Sequence, residues 1–137
     1  MKKITVNAVY ENLDAALDLV NGEIEAYECD LRLATKIQVT VEEIFVNIAS
    51  YAYAPKIGEV EITCEIKEDP PTLIVTFVDH GIPFNPLEAP LFDPDSEEDL
   101  DAIGGKGIYM IRQYMNDVRY RYENSSNILT IEKILNE

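Results

Sequence analysis

The stretch Val39-Thr-Val-Glu-Glu-Ile-Phe-Val-Asn-Ile-Ala-Ser-Tyr-Ala-Tyr53 constrains the fold more than any other part of the chain. At 100° per residue it reads as a helix. Ile37, Val41, Ile44, Ile48 and Ala52 form one apolar band, and Val39, Val46 and Tyr53 form another. Thr40, Glu43, Asn47 and Ser50 make a narrow polar stripe between them. A helix apolar around most of its circumference is a buried one. Polar groups facing inward from it need partners, because an unpaired buried charge is costly. Glu43 and Asn47 stand one turn apart on the stripe, whereas Glu42 is expected about 100° away, between apolar positions. The pair either bonds within the protein, to each other or to a neighbouring helix, or serves a ligand.

Two later stretches bear on that choice. Asp79 ends the most apolar segment, Leu73-Ile-Val-Thr-Phe-Val78, and opens Asp79-His-Gly-Ile-Pro-Phe-Asn-Pro86. Asp-x-Gly is ordinary turn chemistry. The same carboxylate can equally form the polar end of an apolar pocket, taking a donor such as the exocyclic amine of adenine. Gly81 would then let a flat ring approach the backbone. Further on, Gly104-Gly-Lys-Gly107 opens a helical pattern through Ile108, Ile111 and Met115. Glycines at a helix start leave N–H groups open to an anion, and the helix dipole favours negative charge there. Lys106 adds a positive charge. The alternative is a hinge for the preceding loop. The spacing matches neither a Walker A loop nor the dinucleotide fingerprint.

The 137 residues suit one domain, 1–137, that buries roughly two-thirds of its unfolded surface. A formal charge of -15 argues against nucleic acid or an anionic membrane as the main partner. Cys29 and Cys64 lack metal-ligand spacing and fit reduced thiols in a cytoplasmic protein. His80 is the only histidine, which excludes a multi-histidine metal site. Met1-Lys2-Lys3-Ile-Thr-Val-Asn7 is too polar for a signal-peptide core, and no apolar run reaches membrane-span length.

In chain order, Lys2–Val9 predicts a strand, and Asn12 predicts the N-cap of a helix through Leu13, Ala16, Leu17, Val20 and Ile24. Gly22 inside that helix costs roughly 1 kcal/mol relative to alanine; packing is one reason to keep it. The central helix should stop before Pro55. Val60–Ile66 alternates as a strand with one wet face. Leu73–Val78 predicts an inner strand covered on both sides. Residues 87–103 carry two prolines, seven carboxylates and no basic residue, the composition of a functional lid or an irregular segment. Val118–Tyr122 and Ile128–Ile134 predict a hairpin turning at Asn124-Ser-Ser-Asn127.

Taken in order, Glu43-x-x-x-Asn47, Asp79-x-Gly81-x-Pro-Phe and Gly105-x-Gly107 resemble the N, G1 and G2 boxes of the histidine-kinase-like ATPase superfamily (the Bergerat fold). That superfamily includes gyrase, sensor histidine kinases and a heat-shock chaperone. Within it the chain is similar to the small anti-sigma-factor serine/threonine kinases, over nearly its whole length. The closing Asn116-Asp-Val-Arg-Tyr-Arg-Tyr122 and Asn127-Ile-Leu-Thr-Ile-Glu-Lys133 are part of that similarity.

The resemblance implies an ATP- and Mg²⁺-dependent protein-serine kinase that binds a sigma factor and phosphorylates an antagonist protein in a partner-switching system. It implies a homodimer. Glu43 would be the general base, and Asn47 the Mg²⁺ ligand. Asp79 would accept from the adenine amine, with Gly81 beneath the ring and Thr130 reaching a water shared with Asp79. Gly105, Lys106 and Gly107 would meet the phosphates under a lid at 87–103. Lys106 replaces the usual leucine or methionine, Tyr51 stands where many relatives have histidine, and the lid lacks an arginine found in some of them. The expected fold is α+β: a two-layer sandwich with a mixed, mainly antiparallel sheet of about five strands and three main helices on one face.

Overall fold

A computed structural model describes residues 1–27, 29–88 and 105–136, the side chains of 88 and 105–109 excepted. The strands are β1 (Lys2–Asn7), β2 (Glu59–Lys67), β3 (Thr72–Asp79), β4 (Asp117–Glu123) and β5 (Ser126–Ile134), and the helices are α1 (Leu13–Ile24), α2 (Leu31–Asn47) and α3 (Gly105–Tyr114). The sheet order is β1-β2-β3-β5-β4. Every pairing is antiparallel, so the mixed sheet allowed for by the sequence contains no parallel pair among the described strands.

The helices share one core with one sheet face. Leu13, Ala16, Val20 and Ile24 of α1 join Ile37, Val41, Ile44 and Phe45 of α2 and Ile111 of α3. They meet Val60, Ile62 and Cys64, then Leu73, Val75 and Phe77, then Leu129 and Ile131 from the sheet. The two-layer α+β expectation holds.

β3 departs from its expected cover. Leu73, Val75, Phe77 and Asp79 are buried, but Ile74, Thr76 and Val78 are only half-buried. Alternation on one covered face is the geometry of an antiparallel sheet with a wet side. The opposite face carries polar partners, where Arg119 pairs with Asp117 and Glu132.

Local signals resolve unevenly. Asp30 caps α2, its carboxylate accepting the Leu33 N–H at 2.7 Å. Asn12 occupies the capping position of α1 but makes no capping bond; its amide instead donates to the Asn7 carbonyl at 2.9 Å. A methyl group at Gly22 would meet nothing within 4 Å, so packing does not require that glycine. Glu42 is exposed rather than lodged between apolar positions. The α-helical part of the central stretch ends at Asn47 and continues as a π-helical turn, Ile48–Ala52, before Pro55.

β4 and β5 meet through a two-residue turn, Asn124-Ser125, with φ of 52° and 58°. Such a pair of left-handed residues matches strand twist in a tight hairpin. β5 therefore starts earlier than the sequence indicates, and Asn127 belongs to the strand.

Candidate functional site

The C-terminal end of α2, the exit of β3, the middle of α3 and the β4–β5 hairpin enclose a cleft with about 640 Å³ of empty space, open to solvent. Its inner wall is apolar: Ile44, Phe77, Ile111 and Leu129. Tyr51, Ile82 and Phe84 form the exposed mouth, and Asn47, Asp79, Tyr120 and Asn127 supply the polar groups. An apolar pocket with a few converging polar groups is the usual form of a small-molecule site.

Asp79 reaches this wall because alternation along β3 places it on the same face as Leu73, Val75 and Phe77. It is 5% exposed. Two donors fall on one of its oxygens, the Gly81 N–H at 2.9 Å and the Asn127 amide Nδ2 at 2.9 Å. Oδ2 takes no hydrogen bond among the described residues, which leaves an acceptor at the end of an apolar cleft. The turn and pocket readings of Asp79 thus coexist: one oxygen forms the turn and the other remains available.

Gly81 serves a close backbone approach. A Cβ there would stand 2.1 Å from the Ala52 carbonyl oxygen, while the neighbouring Ile82 N–H donates to that same oxygen at 3.0 Å. The space vacated by the missing side chain is occupied by Ala52, which joins the loop after β3 to the π-helical turn after α2.

Asn47 lines the cleft, and its side-chain amide makes no hydrogen bond among the described residues. Glu43 stands one helical turn earlier on α2, half-buried and outside the cleft lining. Thr40, which began the same polar stripe, is buried and bonds back to the Lys36 carbonyl at 2.9 Å. The stripe therefore runs from core to cleft, with an exposed end at Ser50.

Gly105, Lys106 and Gly107 form the first turn of α3, the helix that brings Ile111 to the cleft wall. Ile111 lies six residues beyond Gly105, about 9 Å along the axis. The Lys106 side chain and residues 89–103 of the expected lid lie outside the described residues. At the start of that segment, Arg112 of α3 donates to the Leu87 carbonyl at 2.7 Å.

Thr130 requires a correction. β5 pairs Asn127 with Asp79 and Thr130 with Thr76. Positions three apart on a strand face opposite sides, so Thr130 points away from the cleft, its hydroxyl 3.4 Å from that of Thr76. It cannot share a water with the inward-facing Asp79. Asn127 faces Asp79 instead and bonds it directly. Sequence reasoning missed Asn127 because it assigned this residue to a turn; the left-handed tolerance of Asn124 supplied the signal for a tighter hairpin.

Among the described residues, no group of three or more His, Cys, Asp and Glu side chains is placed to hold a metal. Mg²⁺ needs no such group where a nucleotide supplies phosphate oxygens and water completes the octahedron. The unengaged Asn47 amide fits that mode of binding. No helix among the described residues is long and apolar enough to cross a membrane.

Known proteins resemble the chain in sequence and in fold. The chain is 25% identical over 105 residues to serine-protein kinase RsbW of Bacillus mycoides (strain KBAB4), an alignment covering 74% of this chain and 64% of that one. RsbW of Bacillus cereus (strain B4264) matches to the same extent. The chain thus spans less than two-thirds of the length of these curated relatives. In fold it is similar to the histidine kinase domain of the Erythrobacter litoralis EL346 blue-light activated histidine kinase, with a TM-score of 0.53, 20% identity and coverage of 76% and 45% of the two chains. It is also similar to Acinetobacter baumannii histidine kinase AdeS, with a TM-score of 0.53, 15% identity and coverage of 100% and 70%. The family model described as histidine kinase-like ATPase domain matches residues 6–133, and the chain belongs to that family.

Proposed function

We propose that the cleft binds Mg-ATP and that the protein transfers the γ-phosphoryl group to a serine of an antagonist protein in a partner-switching system. In the complementary state it binds a sigma factor. The observation that carries this reading is the Asp79 carboxylate, held through Oδ1 and presenting Oδ2 at the end of an apolar cleft. Family membership and the likeness to proteins named serine-protein kinase support it. A homodimer in the cytoplasm, with no nucleic acid or membrane partner, completes the proposal.

In this reading Asp79 accepts from the adenine amine and the apolar wall takes the ring. Asn47 holds Mg²⁺ through its amide oxygen. The metal would supply charge neutralisation for the phosphates and fix their geometry. Glu43 accepts the proton of the attacking serine hydroxyl as the Oγ–P bond forms. The bond between the γ-phosphorus and the β,γ-bridging oxygen breaks, and ADP leaves with the electron pair. The N–H groups of the first turn of α3 face the phosphates. Phosphoryl transfer depends mainly on positioning and charge stabilisation, so this small set of groups is sufficient.

The acidic, arginine-free composition of residues 87–103 supports a second reading, an ATP-binding module that shapes a partner surface without transfer. Incubation with labelled ATP, Mg²⁺ and a candidate antagonist separates the two. Label on an antagonist serine, lost in Glu43→Gln, establishes the kinase. ATP binding with no label on any antagonist tested favours the module.

A further inference from the structure

The loop that follows β3 carries Ile82 and Phe84 to the cleft mouth, yet its side chains do little to hold it: Ile82 is 65% and Phe84 50% exposed. Its backbone is held instead. The His80 N–H donates to the Tyr53 hydroxyl at 2.7 Å, the Gly81 N–H to Asp79 Oδ1 at 2.9 Å and the Ile82 N–H to the Ala52 carbonyl at 3.0 Å. Pro83 has no N–H to satisfy. The Phe84 N–H donates to Asn127 Oδ1 at 3.1 Å. Every backbone donor from His80 to Phe84 thus has a partner within the chain, so no ligand is needed to complete the loop.

These partners divide the loop in two. Residues 80–82 hang from the end of the π-helical turn, through Ala52 and Tyr53. Beyond Pro83 the hold passes to Asn127 of β5, which is buried at the cleft wall. Its Nδ2 donates to the Ile82 carbonyl at 2.8 Å while its Oδ1 takes the Phe84 N–H, so one amide straddles Pro83. The remaining hydrogen goes to Asp79 Oδ1 at 2.9 Å, and the remaining lone pair accepts the Tyr120 hydroxyl at 2.5 Å. A primary amide has two donor hydrogens and two acceptor lone pairs. All four are used, which leaves Asn127 no hydrogen bond to offer a ligand.

We propose that Asn127 is a positioning residue. It latches residues 82–84 before any ligand arrives, so that the cleft meets its nucleotide with the Ile82 and Phe84 wall already in place. The identity of the ligand rests on the nucleotide reading above; the latch does not. A wall ordered in advance removes the cost of ordering it from the binding free energy. Asn127 therefore governs affinity without giving the ligand a hydrogen bond. Asn127→Ser releases the latch, because a hydroxyl has one proton and too short a reach to span the Ile82 carbonyl and the Phe84 N–H together.

Amide hydrogen exchange followed residue by residue by NMR, together with calorimetric titration, tests the proposal on wild type and Asn127→Ser. In ligand-free wild type the Phe84 amide is expected to exchange at least about 100-fold more slowly than in an unstructured peptide. In Asn127→Ser it should exchange at least about tenfold faster than in wild type, the scale of one lost hydrogen bond. The His80 and Ile82 amides, bonded to Tyr53 and Ala52, should stay within about threefold of wild type. The Kd for Mg-ATP should rise about tenfold. It should rise by the same factor for the Mg²⁺ complex of purine riboside triphosphate, which lacks the 6-amino group, because the loss lies in the wall and not at Asp79.

The proposal is overturned if the Phe84 amide of ligand-free wild type is unprotected, a result that needs no variant to fold. It is equally overturned if all three amides accelerate together in Asn127→Ser, the behaviour of a brace for the whole fold. An unchanged Kd in the folded variant, or a loss confined to Mg-ATP, also overturns it. Wild type that protects Phe84 yet binds neither nucleotide removes the nucleotide reading and leaves the latch standing.

Discussion

The Tyr53 hydroxyl accepts the His80 backbone N–H at 2.7 Å and donates its own proton to the Glu59 carbonyl at 2.6 Å. One side chain thus joins the residue after the π-helical turn to the start of β2 and the exit of β3. Gly58 makes room for it, since a Cβ there would stand 2.3 Å from the tyrosine ring. Burial pushes the Tyr53 hydroxyl above its usual pKa; the charges of Asp79 and Glu59 add to this, and the His80 bond opposes it. Tyr53→Phe keeps the ring and loses both bonds. It should lower unfolding stability by about 1–2 kcal/mol in urea titrations. No change would mean that the bridge does not hold the loop that follows Asp79.

The two glycines Gly81 and Gly22 predict substitutions of opposite sign. Gly81→Ala drives a methyl group into the Ala52 carbonyl, a backbone atom with no free end to move. A loss of about 2–4 kcal/mol is expected, on the scale of overpacking a well-filled site. Gly22→Ala adds a methyl group to open space inside α1. It should gain roughly 0.5–1 kcal/mol from helix propensity. Thermal melting of the two variants checks both signs.

Thr130→Val should leave the affinity for Mg-ATP within about twofold of wild type, because substitutions away from the contacts of a site are usually near neutral. The threonine lies on the sheet face opposite the cleft and pairs with Thr76. A tenfold loss would mean that Thr130 contributes to the nucleotide site after all.

The Cys64 thiol is fully buried, and burial pushes its pKa from 9.0 up to about 12. The protein should therefore show one thiol, Cys29, reacting with a disulfide reagent near pH 8, and a second only on unfolding. In alkali the unfolded chain ionises Cys64 while the folded chain keeps it protonated. The stability linked to this thiol is complete below about pH 9 and falls as pH rises towards 12, by up to roughly 1.4 kcal/mol per pH unit. Urea unfolding at pH 7.5 and pH 10 should show a steeper loss in wild type than in Cys64→Ala.

Much of this architecture is legible in the sequence because the strongest signals are periodic. The helical bands of α2 and the alternation of β2 each identify a buried face. The cleft is legible through Asn47 and Asp79, which follow from those same periods. Errors arise where a face depends on register. The run Leu73–Val78 looks doubly covered because Ile74 and Val78 are aliphatic on the side away from the described helices. Thr130 and Asn127 exchange roles because two left-handed residues, Asn124 and Ser125, close the hairpin earlier than its four-residue polar stretch indicates. The packing purpose of Gly81 is not visible from sequence, because the Ala52 carbonyl that requires it is distant along the chain.

Calorimetric titration of wild type and Asp79→Asn with Mg-ATP tests the central claim most directly. A single saturable site in wild type, with no ATP heat from a variant of unchanged melting temperature, is the predicted result. Superimposable isotherms from the two folded proteins would contradict it, because the carboxylate at the end of the cleft would then have no part in holding the base.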